Sequence, residues 1–235
     1  MQQGSYEKNM IYRWIKKNKS MDKDLQETWD ILADSWTNVR AWPYPEVKEF
    51  SKTAKEGLVV DIACGNCRNL LPFTKKNLPC VGMDFSKGMI KEAKKYAKRK
   101  NMKIELIIGD LTNLPLKENI ASTIIYTSSI THLRTKKERL KSLEEVKRIG
   151  KEDFRMILSI WNRWQPKFIW KLLKAFLFGR YPNVYVDWNY HGVIHKRFYH
   201  LYTKSEMLND LKKVGLKTER IFKDDHGGIW FWVRR

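Results

Sequence analysis

Short apolar runs and stretches of helical spacing take turns along most of this chain. Runs at residues 58–63, 80–84, 103–108, 120–129 and 154–161 read as strands. Between them lie segments with helical character. Residues 22–36 put Leu25, Trp29, Leu32 and Ala33 on one face. A proline-punctuated turn, RAWPYP, leads into a short helix from Pro45, and another helix runs to about residue 76. Ser86 is placed to cap a lysine-rich helix. Thr135 with Glu138, and Thr203 with Glu206, have the spacing of capping boxes and open helices to about residues 149 and 214. Residues 216–222 and 228–233 read as a closing antiparallel pair. The alternation predicts a three-layer α/β sandwich. Residues 1–20 read as a basic, polar arm, residues 1–56 as the arm and helices preceding the core, and residues 57–235 as that core, all in a single domain.

One segment does not fit the minimal alternation. Residues 162–195 form an insertion, and ten aromatic residues lie between Trp161 and Tyr190. Its first half reads as an amphipathic helix. The rings are expected to form a private core for a lid over the substrate side, with some of them free to stack on nucleobases.

The chemistry concentrates where the first three strands end. The first closes on Asp61 and runs into a tight turn, ACGNC, before a helix-like segment near Arg68; the second closes on Asp84 and the third on Asp110. Strands ending in acids, with a tight turn after the first, describe a nucleotide-cofactor site at the carboxyl edge of a parallel sheet. NAD is disfavoured, because its G-x-G-x-x-G turn needs a third glycine that is lacking here. Cys64 and Cys67 form a CxxC, but Cys80 stands alone as a further thiol and a metal would obstruct the turn, so no metal is expected.

Composition adds a partner. Against 26 acidic residues stand 46 basic ones, a net charge of +20, which predicts attraction to a polyanion. Nucleic acid is favoured over a membrane, because no segment pairs a basic face with a clean membrane-seeking apolar face. The start lacks a signal-peptide pattern, no apolar run is long enough to span a bilayer, and three cysteines make no disulfide framework; a cytoplasmic protein is expected.

The acid-ended strands and the turn resemble the S-adenosylmethionine-binding half of class I methyltransferases, whose pattern is D-x-G-x-G-x-G. Gly65 keeps the middle glycine, while Ala63 and Cys67 replace the others. Three further segments narrow the resemblance: WDILADSWTNVRAWPYPEVKEF, SSITHLRTKKERLKSLEEVKRI and KRFYHLYTKSEM. Over roughly residues 25–235 the chain is similar to the tRNA methyltransferases that esterify 5-carboxymethyluridine at the wobble position, including the methyltransferase domain of the AlkB-type tRNA hydroxylase. The resemblance implies a Rossmann-like, seven-stranded, mostly parallel sheet. The family's two histidines after the fourth strand are represented here by Thr131 and His132, and Ser122 stands where it usually has Asp.

Carried over residue by residue, the resemblance implies that Asp61, Ala63, Cys64, Gly65 and Asn66 hold the methionine part of the cofactor. Asp84 and Phe85 take the ribose end, Asp110 and Leu111 flank the adenine, and Thr127 and Ser128 pass the sulfonium. His132, Arg40 and Arg197 are the candidates for positioning the acceptor. An ionised carboxylate acceptor needs no general base at neutral pH. The resemblance also implies two partners: the tRNA anticodon loop, and a small zinc-binding activator subunit that extends the sheet at residues 103–108, where Ile104, Leu106, Ile107 and Ile108 would otherwise leave an apolar edge. A small-molecule methyltransferase and an RNA-binding protein with a decayed cofactor site are the rival readings.

Overall fold

Strands β1 (Leu58–Ile62), β2 (Cys80–Asp84) and β4 (Ala121–Thr127) are buried along their whole length, which is why they read as mainly apolar runs without strict alternation. The computed structural model describes residues 23–235; the arm expected over residues 1–20 lies outside the described residues. With β3 (Glu105–Ile108) and β5 (Gly150–Ile160), the three strands form a parallel sheet. Strand β9 (Ile229–Arg234) enters antiparallel between β5 and β8 (Lys217–Lys223). The order β3-β2-β1-β4-β5-β9-β8 is a seven-stranded, mostly parallel sheet closed by an antiparallel hairpin, with β3 at one edge.

Helices cover both faces: α1 (Lys23–Asn38), α2 (Pro45–Ser51), α3 (Leu71–Thr74), α4 (Lys87–Arg99), α5 (Lys136–Ile149), α6 (Ile169–Leu177) and α7 (Lys204–Lys213). Alternate strand residues feed two cores. Val60, Ile62 and Ile124 face Leu143 and Val146 of α5 and Met207 and Leu211 of α7. Val59, Ile125 and Ile157 face Phe50 of α2, Phe73 of α3 and Ala93 and Tyr96 of α4. The caps explain where helices start. Ser86 Oγ accepts from the Met89 amide, and Thr135 with Glu138 forms a complete capping box. At α7, Thr203 accepts from the Glu206 amide, but the Glu206 carboxylate turns instead to His200 and Arg163, each at 2.7 Å. That expected box is therefore only half formed.

Two elements bring side chains over the carboxyl edge of the sheet. Helix α1 lies across the start of α4, with Trp29 and Ala33 packed on Met89. Asp30 accepts from Ser86 Oγ at 2.6 Å and from the Gly88 amide at 2.8 Å, so a carboxylate sits at the positive end of α4. A Cβ on Gly88 would stand 2.6 Å from the Asp30 carbonyl oxygen, so only glycine permits this close crossing.

The second element is the insertion. It holds α6 and an antiparallel pair, β6 (Asn183–Tyr190) and β7 (Val193–His200). The sequence reading placed a helix in its first half and missed the hairpin. Phe168, Leu172, Ala175, Val184, Tyr199 and Leu201 form a private core for this cap. Trp188 Nε1 donates to Ser35 Oγ at 3.1 Å and so ties the hairpin to α1.

Candidate active site

The turn after β1 solves a steric problem with two non-glycine residues. Ala63 (φ 55°), Gly65 (φ 54°) and Cys67 (φ 59°) all lie in the left-handed region. Glycine occupies that region without strain, whereas an L side chain costs about 1–2 kcal/mol there. The turn therefore keeps the backbone shape of a glycine-rich loop despite having lost two glycines. Gly65 is fixed by space as well: a Cβ there would meet the Trp36 ring at 3.1 Å. Its amide donates to Asp84 Oδ2 at 2.9 Å, so the end of β2 holds the turn in place.

The acids behind this turn are out of balance. Asp61 is fully buried, and neither of its carboxylate oxygens has a hydrogen-bond partner. Burial drives its pKa well up; the positive charge of Arg68 opposes this, and Asp84 adds to it. Arg68 is also buried, its Nε is unpartnered, and its guanidinium lies 4.2 Å from the Tyr44 ring centroid and 5.4 Å from that of Trp36. Its Nη1 donates to the Trp42 carbonyl at 2.9 Å, so a buried carboxyl without partners lies near a guanidinium only partly satisfied, which suits a ligand end that carries one charge of each sign, as the α-amino and α-carboxylate groups of a methionyl moiety do. Asp84 accepts from the Gly65 and Ser86 amides, one on each oxygen, which leaves each oxygen able to accept once more. That capacity fits the two hydroxyls of a ribose. Burial raises its pKa to about 6.

A cavity opens beside the turn. Of the residues expected at the site, its walls hold Ala63, Cys64, Gly65, Asp84, Phe85, Thr127, Ser128, His132, Arg40 and Arg197. Four expected residues stand elsewhere. Asp61 lies behind the wall. Asn66 is buried and donates to the Arg40 carbonyl at 2.8 Å, tying the N-terminal segment to the turn. Leu111 belongs to the main core. Asp110 Oδ1 accepts from the Thr112 amide (2.7 Å) and hydroxyl (2.8 Å), closing the loop after β3.

The sequence reading missed part of the wall: Trp36, Tyr44, Arg68 and Asn69 on one side, Trp161, Trp188 and Tyr199 on the cap side. Trp36 follows Trp29 by seven residues on the same helix, a spacing that could have flagged it. Arg68 and Asn69 directly follow the turn in sequence, and the others arrive through tertiary folding.

The acceptor side is an aromatic box with a charge inside. Trp161 stacks on Tyr199 with ring centroids 4.4 Å apart, Tyr199 lies 4.5 Å from His132, and His132 meets Trp29 edge-on at 5.3 Å. Arg197 is 5 % exposed, donates to the Tyr199 hydroxyl at 3.1 Å and lies 4.8 Å from the Trp188 centroid; its Nε is unpartnered, and no ion pair is formed among the described residues. His132 Nδ1 pairs with the Phe198 carbonyl oxygen at 2.9 Å. A carbonyl can only accept, so Nδ1 carries the proton. Burial pushes the His132 pKa down to about 4, and Arg197 pushes the same way. The ring is therefore neutral at physiological pH, and Nε2 can only accept.

Cys64 and Cys67 are buried free thiols whose pKa values burial raises. Among the described residues no cluster of His, Cys, Asp and Glu could hold a metal ion.

Comparison with known proteins places this geometry. Residues 59–153 match the family model of a methyltransferase domain. A methyltransferase-like protein of Encephalitozoon cuniculi is 29% identical over 174 residues, 74% of each chain. The tRNA (carboxymethyluridine(34)-5-O)-methyltransferase of Arabidopsis thaliana is 26% identical over 151 residues, which is 63% of this chain but 35% of that protein. The chain thus spans about a third of the length of this wobble-uridine relative. Among solved structures, a SAM-dependent methyltransferase of Methanosarcina mazei superposes with TM-score 0.70 at 17% identity, covering 83% of this chain and 98% of that one. A Haloferax volcanii methyltransferase in complex with the Trm112 activator gives TM-score 0.65 at 13% identity, covering 89% and 96%. The fold is that of S-adenosylmethionine-dependent methyltransferases, and the matched residues 59–153 hold the turn and the strand ends around it. S-adenosylmethionine is the cofactor that this fold and the matched segment point to, and the unpartnered Asp61 carboxyl and Arg68 Nε behind the turn suit that molecule's amino-acid end.

Proposed function

We propose that this enzyme methylates tRNA, placing the methyl group on the carboxylate of 5-carboxymethyluridine at the wobble position. The observation that carries the reading is Arg197. A guanidinium buried among aromatic rings without an acidic partner is costly unless an anion arrives to share its site. A planar base bearing a carboxylate supplies both missing elements, a ring to stack and an anion to pair. Arg40, exposed at the cavity wall, adds a second cation on the acceptor side.

The cofactor supplies an electrophilic methyl group on a sulfonium. The protein's own part is to orient and to exclude water. Thr127 and Ser128 carry the end of β4 past the reacting position, and Ser128 (φ 55°) is held by its amide's hydrogen bond to the Ser159 carbonyl at 3.0 Å. The Trp188–Ser35 bond closes the cap over it. A cation and an anion are both neutralised in this transfer, so alignment and dehydration carry most of the catalysis and no base is required. His132 does not grip the carboxylate, because its Nε2 has no proton to give; it accepts from the uracil N3–H or a ribose hydroxyl. The net charge of +20 draws the polyanion. At the open edge, Ile108 of β3 is 41% exposed, which suits sheet extension by the small zinc-binding activator that the resemblance implies; the Haloferax neighbour is in complex with the Trm112 methyltransferase activator.

The same histidine favours a second reading. A neutral imidazole with only a lone pair to offer suits an acceptor that still carries its proton, an O–H or N–H on a small aromatic molecule. Mass spectrometry of tRNA nucleosides, after incubation with cofactor and the activator, separates the two. A methyl ester on a wobble uridine supports the first reading. Unmodified tRNA, with cofactor bound normally, refutes it and leaves the second.

A further inference from the structure

Helix α6 is apolar on the wrong side. Its inner face is accounted for, since Leu172 and Ala175 pack with Phe168, Val184 and Tyr199. Its outer face carries Ile169, Trp170, Leu173, Phe176 and Leu177, exposed by 58, 80, 49, 69 and 72%. These positions lie within one arc of the helix, and Phe178 extends the patch at its end with 64% exposure. A contiguous exposed apolar face of this kind marks an interaction surface. The sequence reading saw an amphipathic helix here; the structure shows that the cap uses only part of the apolar surface.

The charge around the helix identifies the occupant. Residues 162–186 contain Arg163, Lys167, Lys171, Lys174 and Arg180 and no Asp or Glu. A second copy of this chain would set those five cations against the same five. The chain's own residues 1–20 hold five basic residues and one acidic one, and match no better. Single-stranded RNA would meet the charge and stack on Trp170, but Ile169, Leu173 and Leu177 offer a nucleobase no stacking face. An anionic bilayer satisfies both features at once. Its interface takes Trp, Phe, Leu and Ile to the depth of the upper acyl chains, while lysines flanking the helix meet the headgroups.

We infer that α6 is a peripheral membrane-docking helix for anionic lipid surfaces. The inference goes beyond the proposed tRNA reaction and does not depend on it. Its position gives docking a route to the site: Phe168, at the start of α6, stacks on Trp161 at 5.6 Å, and Trp161 stacks on Tyr199 in the cavity wall.

The test uses the full chain, sedimented with vesicles of phosphatidylcholine alone or mixed with phosphatidylserine. Binding should require phosphatidylserine and weaken as salt rises. Trp170→Ser combined with Phe176→Ser should reduce it by roughly tenfold or more, given the apolar area removed. Both residues are exposed and outside the cavity wall, so the variant should keep the melting temperature and cofactor affinity of the wild type. Lys171→Glu with Lys174→Glu should weaken binding with the helix face intact. Three results would overturn the inference: no vesicle binding, binding indifferent to the double substitution, or a double substitution that lowers tRNA affinity or dissociates a dimer while vesicles are ignored.

Discussion

Cofactor binding should release a proton, and Asp84 should be a source of it. The carboxylate is 5% exposed, accepts from two backbone amides at 2.9 and 3.0 Å, and has its pKa raised to about 6 by burial, with the nearby Asp30 pushing the same way. A ribose diol needs two acceptors, which only the ionised carboxylate supplies in full. In the free protein the group holds its proton up to about pH 6, whereas an unfolded aspartate releases it near pH 4. Its contribution to stability is therefore greatest in acid and is lost as pH rises from about 4 to about 6, a change of about 3 kcal/mol. Ligand affinity runs the other way. It should level off above about pH 7 and fall about tenfold for each unit below about pH 6. Calorimetric titration at pH 6, in two buffers of different ionisation enthalpy, should show about half a proton released from this group. Asp61 is also raised by burial, so the difference between wild type and Asp84→Asn isolates the Asp84 share. Proton-neutral binding across this range, or equal release in the Asp84→Asn variant, would refute the assignment of Asp84 to the ribose.

Three further outcomes are expected. Ala63→Gly should relieve left-handed strain and raise stability by about 1 kcal/mol, or about 2–4 °C in thermal melting; a lower melting temperature would show that the methyl group packs usefully. His132→Asn keeps a side-chain N–H for the Phe198 carbonyl but loses the Nε2 acceptor, so it should lower kcat/KM by roughly tenfold while leaving cofactor affinity unchanged. Unaltered kinetics would remove His132 from the reaction. Arg197→Met removes a buried unpaired charge and should stabilise the cofactor-free chain by about 1 kcal/mol or more while abolishing turnover. Destabilisation with activity retained would make Arg197 structural.

The sheet was legible because a strand buried on both faces leaves a mark that needs no partner to be read. Leu58–Ile62 and Cys80–Asp84 are mainly apolar for this reason, each broken by a single aspartate near its carboxyl end. Caps were legible too, since Ser86 and Thr135 act on amides three residues away. Glu206 shows where that logic stops: its carboxylate had tertiary alternatives in His200 and Arg163 and took them. The β6–β7 hairpin was missed, although β6 has the alternating exposure of a strand with one wet face; the aromatic residues drew the reading toward a lid instead. The glycine-poor turn looked degenerate because the sequence names residues and not φ angles. Tyr44 could not be found from spacing, as it reaches the site only through the proline-punctuated turn, whereas Arg68 directly follows the turn after β1 and was within reach of the sequence.

The nature of the methyl linkage tests the central claim most directly. The enzyme should be incubated with tRNA, the activator and cofactor labelled in its methyl group, and the recovered tRNA then treated with mild alkali. Transfer to a carboxylate makes an ester, so the label should return as volatile methanol. Label that stays on the RNA after alkali would mean a methyl bound to nitrogen, carbon or an ether oxygen, and an RNA that takes up no label would place the acceptor among small molecules; either result contradicts the account.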